Sequence, residues 1–153
     1  MIRAVFLDSG PLGLATKPLR AAEVIAVHHW IQNLIRAGLV VIIPEIADYE
    51  IRRELLRAGA TAGVARLNAF IAAEPDRYLA LTTVAVRKAA ELWAEARNRG
   101  YATADPKALD GDVILAAQTL THGIPASEFV IATDNVGHLA RYAPADDWRN
   151  IAP

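Results

Sequence analysis

Short, continuous runs of apolar residues alternate along the chain with longer segments in which apolar residues recur every three or four positions. Residues 4–7 (Ala-Val-Phe-Leu) form the first run, and residues 39–43 (Leu-Val-Val-Ile-Ile) form the second. Continuous runs of this length are typical of strands that are covered on both faces, as parallel sheets require. Two further strands are predicted at residues 78–81 and 129–132, with a final edge strand around residues 148–151.

The segments between these runs have the spacing of amphipathic helices. A long first helix is predicted over residues 19–37, because its apolar residues fall on one face and Gly38 follows as a natural stop. The other predicted helices cover residues 45–57, a short segment marked by Val64, Leu67 and Ile71, a stripe from Val86 to Ala96 that ends before Gly100, and residues 110–123.

Polar segments separate several of these elements. Residues 8–11 (Asp-Ser-Gly-Pro) are predicted to form a turn after the first strand, and Asp105-Pro106 lies in a predicted polar loop. Strands that alternate with helices predict an α/β protein, a three-layer α/β/α sandwich around a mainly parallel central sheet. In such sheets ligands bind at the carboxyl ends of the strands, so a ligand site is expected among the residues that follow the strands.

Composition narrows the possible functions. The 153 residues are 54% hydrophobic and 22% charged, which predicts one folded domain over residues 1–153. Sixteen Lys and Arg against seventeen Asp and Glu leave a net charge of −1, so only a local basic patch would attract nucleic acid. Without cysteine, a thiolate metal site and a cysteine nucleophile are excluded. No apolar run approaches the ~20 residues of a membrane span, and no signal peptide is evident, so we expect a cytoplasmic protein.

Acidic residues follow two of the predicted strands. Asp8 comes directly after the first strand, and Asp134 comes after the strand at residues 129–132, between Thr133 and Asn135. Each acid alone is well explained as a turn-forming or helix-capping residue. Two strand ends that both carry acids are stronger evidence for a site at that edge of the sheet.

Two helices contribute further acids. Asp110 is a plausible N-cap of its helix, and Asp112 would then lie in the first turn, where a carboxylate complements the helix dipole. The helix over residues 45–57 carries Glu45, Asp48, Glu50 and Glu54. Physical arguments alone do not select Glu50 among them. Glu50 lies ~9 Å of helical rise beyond Pro44, which is far enough for its side chain to lean over a cleft.

Carboxylates that converge in this way would repel one another unless a cation were bound between them. Oxygen ligands favour Mg²⁺ or Mn²⁺ over zinc, and such a site supports hydrolysis of phosphodiesters. Motifs that would indicate a different class of enzyme are missing from the sequence. The position two residues after Asp8 is Gly10, where a haloacid-dehalogenase-type phosphatase needs a second Asp, and the sequence has neither a Gly-rich phosphate loop with Lys nor a Gly-x-Ser-x-Gly elbow. The four histidines lack metal-ligand spacing.

Taken together, four segments resemble the PIN-domain ribonucleases, especially the VapC-like toxins of bacterial toxin–antitoxin pairs. The segments are Val-Phe-Leu-Asp-Ser at residues 5–9, Ile-Ala-Asp-Tyr-Glu-Ile-Arg-Arg-Glu-Leu at residues 46–55, Asp-Gly-Asp-Val-Ile-Leu-Ala-Ala at residues 110–117, and Val-Ile-Ala-Thr-Asp-Asn at residues 130–135. Their order and spacing, more than any one of them, carry the resemblance.

The resemblance implies a Mg²⁺- or Mn²⁺-dependent endoribonuclease whose metal-binding and catalytic carboxylates are Asp8, Glu50, Asp112 and Asp134. Family members usually read Thr-x-Asp or Thr-x-Asn, which aligns Asn135 with the last acidic position. Charge favours Asp134, and the two alternatives stay open. Substrate-binding roles are expected for Ser9, Arg52, Arg53, Thr133 and Asn135, with Arg57 a further basic residue on the same helix. Ser9 replaces a commoner Thr or Asn and keeps a hydroxyl that can orient Asp8 or a metal-bound water.

The same resemblance implies an RNA substrate, a cognate VapB-like antitoxin, a homodimer and no membrane association. Two alternatives remain. A PIN-fold binding module that has lost catalysis is favoured by Asn135, because a neutral amide would replace the fourth carboxylate. A Mg²⁺-dependent phosphatase of unrelated α/β fold would prefer phosphomonoesters.

Overall fold

The protein is described from a computed structural model that covers residues 1–100 and 106–153. Within these ranges five parallel strands form one sheet in the order β3-β2-β1-β4-β5. The strands are β1 (Ala4–Leu7), β2 (Val40–Pro44), β3 (Tyr78–Leu79), β4 (Phe129–Thr133) and β5 (Ala145–Asp147). The chain winds outward from β1 to β2 and β3 on one side, and then returns to the other side of β1 with β4 and β5.

Helices cover both faces of the sheet. They are α1 (Ser9–Ala15), α2 (Ala22–Arg36), α3 (Glu45–Arg57), α4 (Thr61–Ala72), α5 (Thr83–Asn98), α6 (Pro106–Leu120) and α7 (Val136–Leu139), and two short 3₁₀ helices span Ala126–Glu128 and Trp148–Asn150. One core joins the sheet to α5, α6 and α7, and a second core joins it to α1, α2, α3 and α4.

Strand β1 shows how the sequence produces the two cores. All four of its residues are fully buried, with Ala4 and Phe6 in one core and Val5 and Leu7 in the other. Successive side chains of a strand point to opposite faces, so an uninterrupted apolar run is needed where both faces are covered. The predicted three-layer α/β/α sandwich with a parallel sheet is confirmed. No helix of the described ranges is long and apolar enough to cross a membrane.

The turn predicted at residues 8–11 is wrong, because Ser9–Ala15 is a helix. Asp8 precedes it in an extended conformation, and the Asp8 carboxylate accepts a hydrogen bond from the Ser9 backbone N–H. Pro11 lies in the first turn of α1, where the missing N–H costs nothing because no carbonyl is there to receive it. The long first helix accordingly begins at Ala22, three residues later than predicted.

The helix that carries Asp112 begins earlier than predicted. It starts at Pro106, so Asp110 is not its N-cap and Asp112 lies two turns into the helix, away from the first turn. Proline suits the first position of a helix. The loop predicted around Asp105 falls outside the described residues.

Two predicted strands also change. The edge strand expected around residues 148–151 is found at Ala145–Asp147. Residues Trp148–Asn150 form a 3₁₀ helix, because Asp147 accepts the Arg149 backbone N–H and closes a turn there. Strand β3 is limited to Tyr78–Leu79, shorter than the predicted residues 78–81.

Candidate metal and nucleic-acid site

The four predicted acids lie on elements that meet at the carboxyl edge of the sheet. Asp8 follows the central strand β1, and Asp134 follows the neighbouring strand β4. The order in which strands are added to the sheet reverses at this point, because β2 lies on one side of β1 and β4 on the other. Such a point leaves a crevice above the strand ends, where α/β sheets bind their ligands.

Asp8 is held rigidly at the centre of this edge. Its Oδ1 accepts the Ser9 backbone N–H at 2.7 Å, and its Oδ2 accepts the Thr133 hydroxyl at 2.7 Å. Burial raises the pKa of Asp8, while the hydrogen bonds from Thr133 and Ser9 act in the opposite direction. The negative charge of Asp134 also raises the pKa of Asp8, which places these two carboxylates within electrostatic reach of each other.

Glu50 and Asp112 approach Asp8 from two helices. Burial raises the pKa of Glu50, and the charges of Asp8 and Asp112 raise it further, against the lowering effect of Arg53. Burial also raises the pKa of Asp112 to about 6, with Asp8 adding to the shift. The structure therefore brings Asp8, Glu50 and Asp112 together as mutually repelling carboxyl groups.

Two glycines lie against these acids. Gly111 lies directly before Asp112 on α6, and a Cβ built there would be 3.4 Å from Glu50 Oε1. At Gly10 on α1 an added Cβ would collide with the Asp134 carboxylate. Asp134 thus packs against bare backbone where a Cβ would push it away, whereas a Cβ at Gly111 would make an ordinary van der Waals contact with Glu50.

Asp134 and Asn135 occupy different places. The Asp134 carboxylate lies against Gly10 and next to Asp8, whereas the Asn135 side chain makes no hydrogen bond within the described ranges. The Asn135 backbone N–H donates to the Thr133 hydroxyl at 2.9 Å, and the Asn135 backbone (φ −123°, ψ 56°) is not extended. Strand alternation, the argument from sequence for choosing between these neighbours, therefore does not apply beyond Thr133.

Basic side chains lie near the acids, but they do not offset the effects that raise the pKa values of these acids. His138 on α7 places Nδ1 3.7 Å from Asp112 Oδ2, and Arg141 lowers the pKa of Asp112 as well. Arg53 lies near Glu50 and stacks over the Tyr49 ring at 5.1 Å. Between α3 and α6, a cleft of 420 Å³ is lined by residues that include Glu50, Arg53 and Asp110.

The donor chemistry fits a hard divalent cation. All four acids offer oxygen ligands. Burial together with repulsion from neighbouring carboxylates raises the pKa of three of them, and a bound cation would lower these pKa values again. Among the described residues, no three His, Asp or Glu side chains already stand close enough to hold one ion. Binding would therefore require the carboxylates to turn toward a common centre.

The predicted substrate-binding residues separate into two groups. Arg53 is exposed beside the cleft, and Asn135 is exposed at the strand edge. Thr133 is fully buried, so its hydroxyl orients Asp8 and cannot reach a substrate. Arg52 binds Asp48 Oδ1 and donates to Asn68, so this side chain fastens α3 to α4 and is not free to hold RNA. Ser9 contacts Asp8, as expected for a residue that orients it.

Sequence reasoning gave no role to His138 or Arg149, which both lie close to the acids. His138 contacts Asp112, and Arg149 Nη1 lies 3.9 Å from Asp134 Oδ1. The position of His138 four residues after Asp134 was a usable signal, because both residues follow the same strand. No sequence signal pointed to Arg149, because its approach depends on the turn after β5.

No protein-family model and no curated protein sequence matches the chain. Solved structures share its fold. The crystal structure of VapBC2 from Rickettsia felis bound to a DNA fragment from its promoter matches with a TM-score of 0.71 and 13% identity, over 95% of this chain and 98% of the other. FitAcB from Neisseria gonorrhoeae matches with a TM-score of 0.67 and 18% identity, over 96% and 99%.

DNA-bound VapBC from Salmonella typhimurium matches with a TM-score of 0.60 and 18% identity, over 97% of this chain and 99% of the other. The matches extend over almost the whole length of each chain. At these sequence identities the similarity establishes the fold, which is the PIN-like fold that the sequence resemblance implied.

Proposed function

We propose that this chain is a Mg²⁺- or Mn²⁺-dependent endoribonuclease that acts as the toxin of a toxin–antitoxin pair. The observation that carries the proposal is the convergence of Asp8, Glu50 and Asp112 at the switch point of the sheet, where the charge of Asp8 raises the pKa of both Glu50 and Asp112. Burying three like charges together is costly, and a binding site for a cation explains why the fold tolerates it.

Asp8, Glu50, Asp112 and Asp134 would hold the ion. When bound, a divalent cation lowers the pKa of a coordinated water and neutralises charge that builds on the phosphoryl oxygens. Asp8 is fixed for this task by Ser9 and Thr133, so its carboxylate needs little reorganisation. Arg53 is exposed beside Glu50 and is placed to bind a backbone phosphate of the RNA.

The fold matches support a partner protein for this chain. Two of the three structures described above are VapBC complexes, the toxin–antitoxin class to which the sequence resemblance points. We therefore propose a VapB-like antitoxin as the partner of this chain, and a homodimer as its own assembly. The match covers 98% of the VapBC2 chain, so the comparison extends over nearly the whole of that chain.

A second candidate is a PIN-fold binding module without catalysis, which Asn135 favours because an amide stands at the aligned acidic position. The position of Asp134 argues against it, since this carboxylate, and not Asn135, lies next to Asp8. In the binding module RNA would be retained but not cleaved.

The test is cleavage of a generic single-stranded RNA oligonucleotide with Mg²⁺, run beside hydrolysis of a simple phosphomonoester. Glu50→Gln removes a ligand charge, and Glu54→Gln is the matched control, because Glu54 lies one turn further along α3 and pairs with Arg57. We expect RNA cleavage by the wild type and Glu54→Gln, and a loss of about 100-fold or more in Glu50→Gln.

Each other outcome has a clear meaning. RNA binding without cleavage by the wild type would establish the binding module. Preference for the phosphomonoester would establish a phosphatase. Equal cleavage by Glu50→Gln and Glu54→Gln would remove Glu50 from the site.

A further inference from the structure

The Asp134 carboxylate has two neighbours that act on it in opposite directions. On one side it lies against the Gly10 backbone and within electrostatic reach of Asp8, the centre of the proposed metal site. On the other side, Arg149 Nη1 lies 3.9 Å from Asp134 Oδ1. About half of each of these two side chains is exposed, so the Asp134 carboxylate has room to move.

Arg149 itself is held firmly from several directions. Its Nη2 donates to Glu23 on α2, and its Nη1 donates to both carboxylate oxygens of Asp147, at 3.1 and 3.2 Å. The guanidinium also stacks over the Trp148 ring at 4.7 Å from its centroid, and Trp148 is a buried core residue. Arg149 is therefore a fixed positive charge beside Asp134, in contrast to a long side chain that swings freely in solvent.

We propose that Arg149 is a positioning residue that holds the Asp134 carboxylate at the margin of the site, so that a divalent ion must compete with the guanidinium for the fourth acid. The inference rests on the proposed function, because it assumes that Asp8, Glu50 and Asp112 bind the ion. It adds a determinant of ion affinity that lies outside the carboxylates themselves.

Charge and distance set the direction of the effect. At 3.9 Å the ion pair is too long for a direct hydrogen bond, so the attraction is electrostatic and is weakened by water. A divalent ion that draws Asp134 inward must separate it from Arg149. Removing the guanidinium charge therefore tightens ion binding, and a charge kept at this position preserves the wild-type affinity.

The experiment measures Mn²⁺ affinity by calorimetry at pH 7.5, above the raised pKa of Asp112, on folded protein without RNA. The variants are Arg149→Gln, Arg149→Lys, Asp134→Asn and the double variant Arg149→Gln/Asp134→Asn. Arg36→Gln is the matched control, because Arg36 is an exposed cation at the end of α2 whose side chain donates to Asn33 on its own helix. Thermal unfolding of each variant establishes that it is folded.

We expect Arg149→Gln to bind Mn²⁺ about 3- to 10-fold more tightly than the wild type, with Arg149→Lys and Arg36→Gln close to wild type. In the Asp134→Asn background, Arg149→Gln should change the affinity little, because the two residues act as a pair. The same gain in both backgrounds would overturn the proposal, since Arg149 would then act on the ion directly or through the freed Asp147.

An unchanged affinity in Arg149→Gln would also overturn it. If wild-type protein binds no Mn²⁺ at all, the failure belongs to the proposed metal site and the proposed function with it. If Arg149→Gln does not fold, Arg149→Met decides through the same double comparison, because it also removes the positive charge and should produce the same gain, which is again lost with Asp134→Asn.

Discussion

The structural task of the Asp8 side chain is compatible with the chemical task proposed for it. Its Oδ1 receives the first N–H of α1 and its Oδ2 receives the Thr133 hydroxyl, so the same hydrogen bonds that begin the helix also fix the carboxylate at the edge of the sheet. A capping role and a catalytic role, which looked like alternatives in the sequence, are compatible at this position. The signal in the sequence was the placement of an acid directly after a buried strand.

The raised pKa of Asp112 predicts an unusual dependence of stability on pH. Its pKa rises from 3.8 in the unfolded chain to about 6 in the native state. The native state then binds a proton more tightly than the unfolded state, so this group favours folding at low pH and loses that contribution as the pH rises from about 4 to about 6. The cost at neutral pH is about 1–2 kcal/mol, because water still screens the half-buried carboxyl.

Thermal unfolding of the metal-free protein between pH 4 and 7, compared with Asp112→Asn, checks this prediction. Stability of the wild type should fall relative to Asp112→Asn as the pH rises through this window, and saturating Mg²⁺ should offset the fall. Parallel curves for the two proteins would show that Asp112 carries no raised pKa.

At the scale of elements, α1 determines how closely the fourth acid approaches the site. The sequence pattern predicted a turn here, because Gly10 and Pro11 are typical turn residues. In the structure the same two residues suit a helix start that must leave room for a neighbour, with Pro11 in the first turn and Gly10 facing Asp134. The contact joins residues more than a hundred positions apart, which local patterns do not reveal.

Gly10→Ala tests this close approach. Alanine favours a helix, so α1 should persist, but its Cβ would collide with the Asp134 carboxylate and push it from the edge of the sheet. We expect a loss of RNA cleavage of about tenfold or more, with a native far-ultraviolet circular dichroism spectrum. Gly137→Ala on α7 is the control, because a Cβ there meets open space. Equal activity of the two variants would contradict the importance of the Gly10 contact.

The limits of other elements could be predicted where the sequence pattern was strong and no second residue suggested a different start or end. Helix α3 begins and ends as predicted, because Pro44 and Glu45 mark its start and the segment is long and periodic. The start of α6 was misplaced because Asp110 resembles an N-cap, whereas Pro106 begins the helix four residues earlier. The final strand was misplaced because the apolar Trp148 and Ile151 were assigned to it, although both pack in the core from a 3₁₀ turn and the residue after it.

At the scale of the whole molecule, the order of the strands creates the site. Apolar runs predicted the strands and their parallel pairing, but not the order β3-β2-β1-β4-β5 that puts β1 beside β4. That order brings Asp8 next to Asp134 and lets α3 and α6 deliver Glu50 and Asp112 from the sides. Buried apolar strands could be predicted from composition, whereas the electrostatic neighbours Arg149 and His138 follow only from the assembled fold.

The most direct test of the account is a Mg²⁺ titration of RNA cleavage by the wild type and by Asp8→Asn, purified in the same way and compared in EDTA. Asp8→Asn keeps the volume of the side chain and relieves repulsion with its acidic neighbours, so its thermal midpoint should equal or exceed that of the wild type. We predict cleavage that rises with Mg²⁺ in the wild type, disappears in EDTA and is absent from Asp8→Asn. Cleavage by folded Asp8→Asn at the wild-type rate, or cleavage by the wild type that persists in EDTA, would contradict a metal-dependent nuclease centred on Asp8.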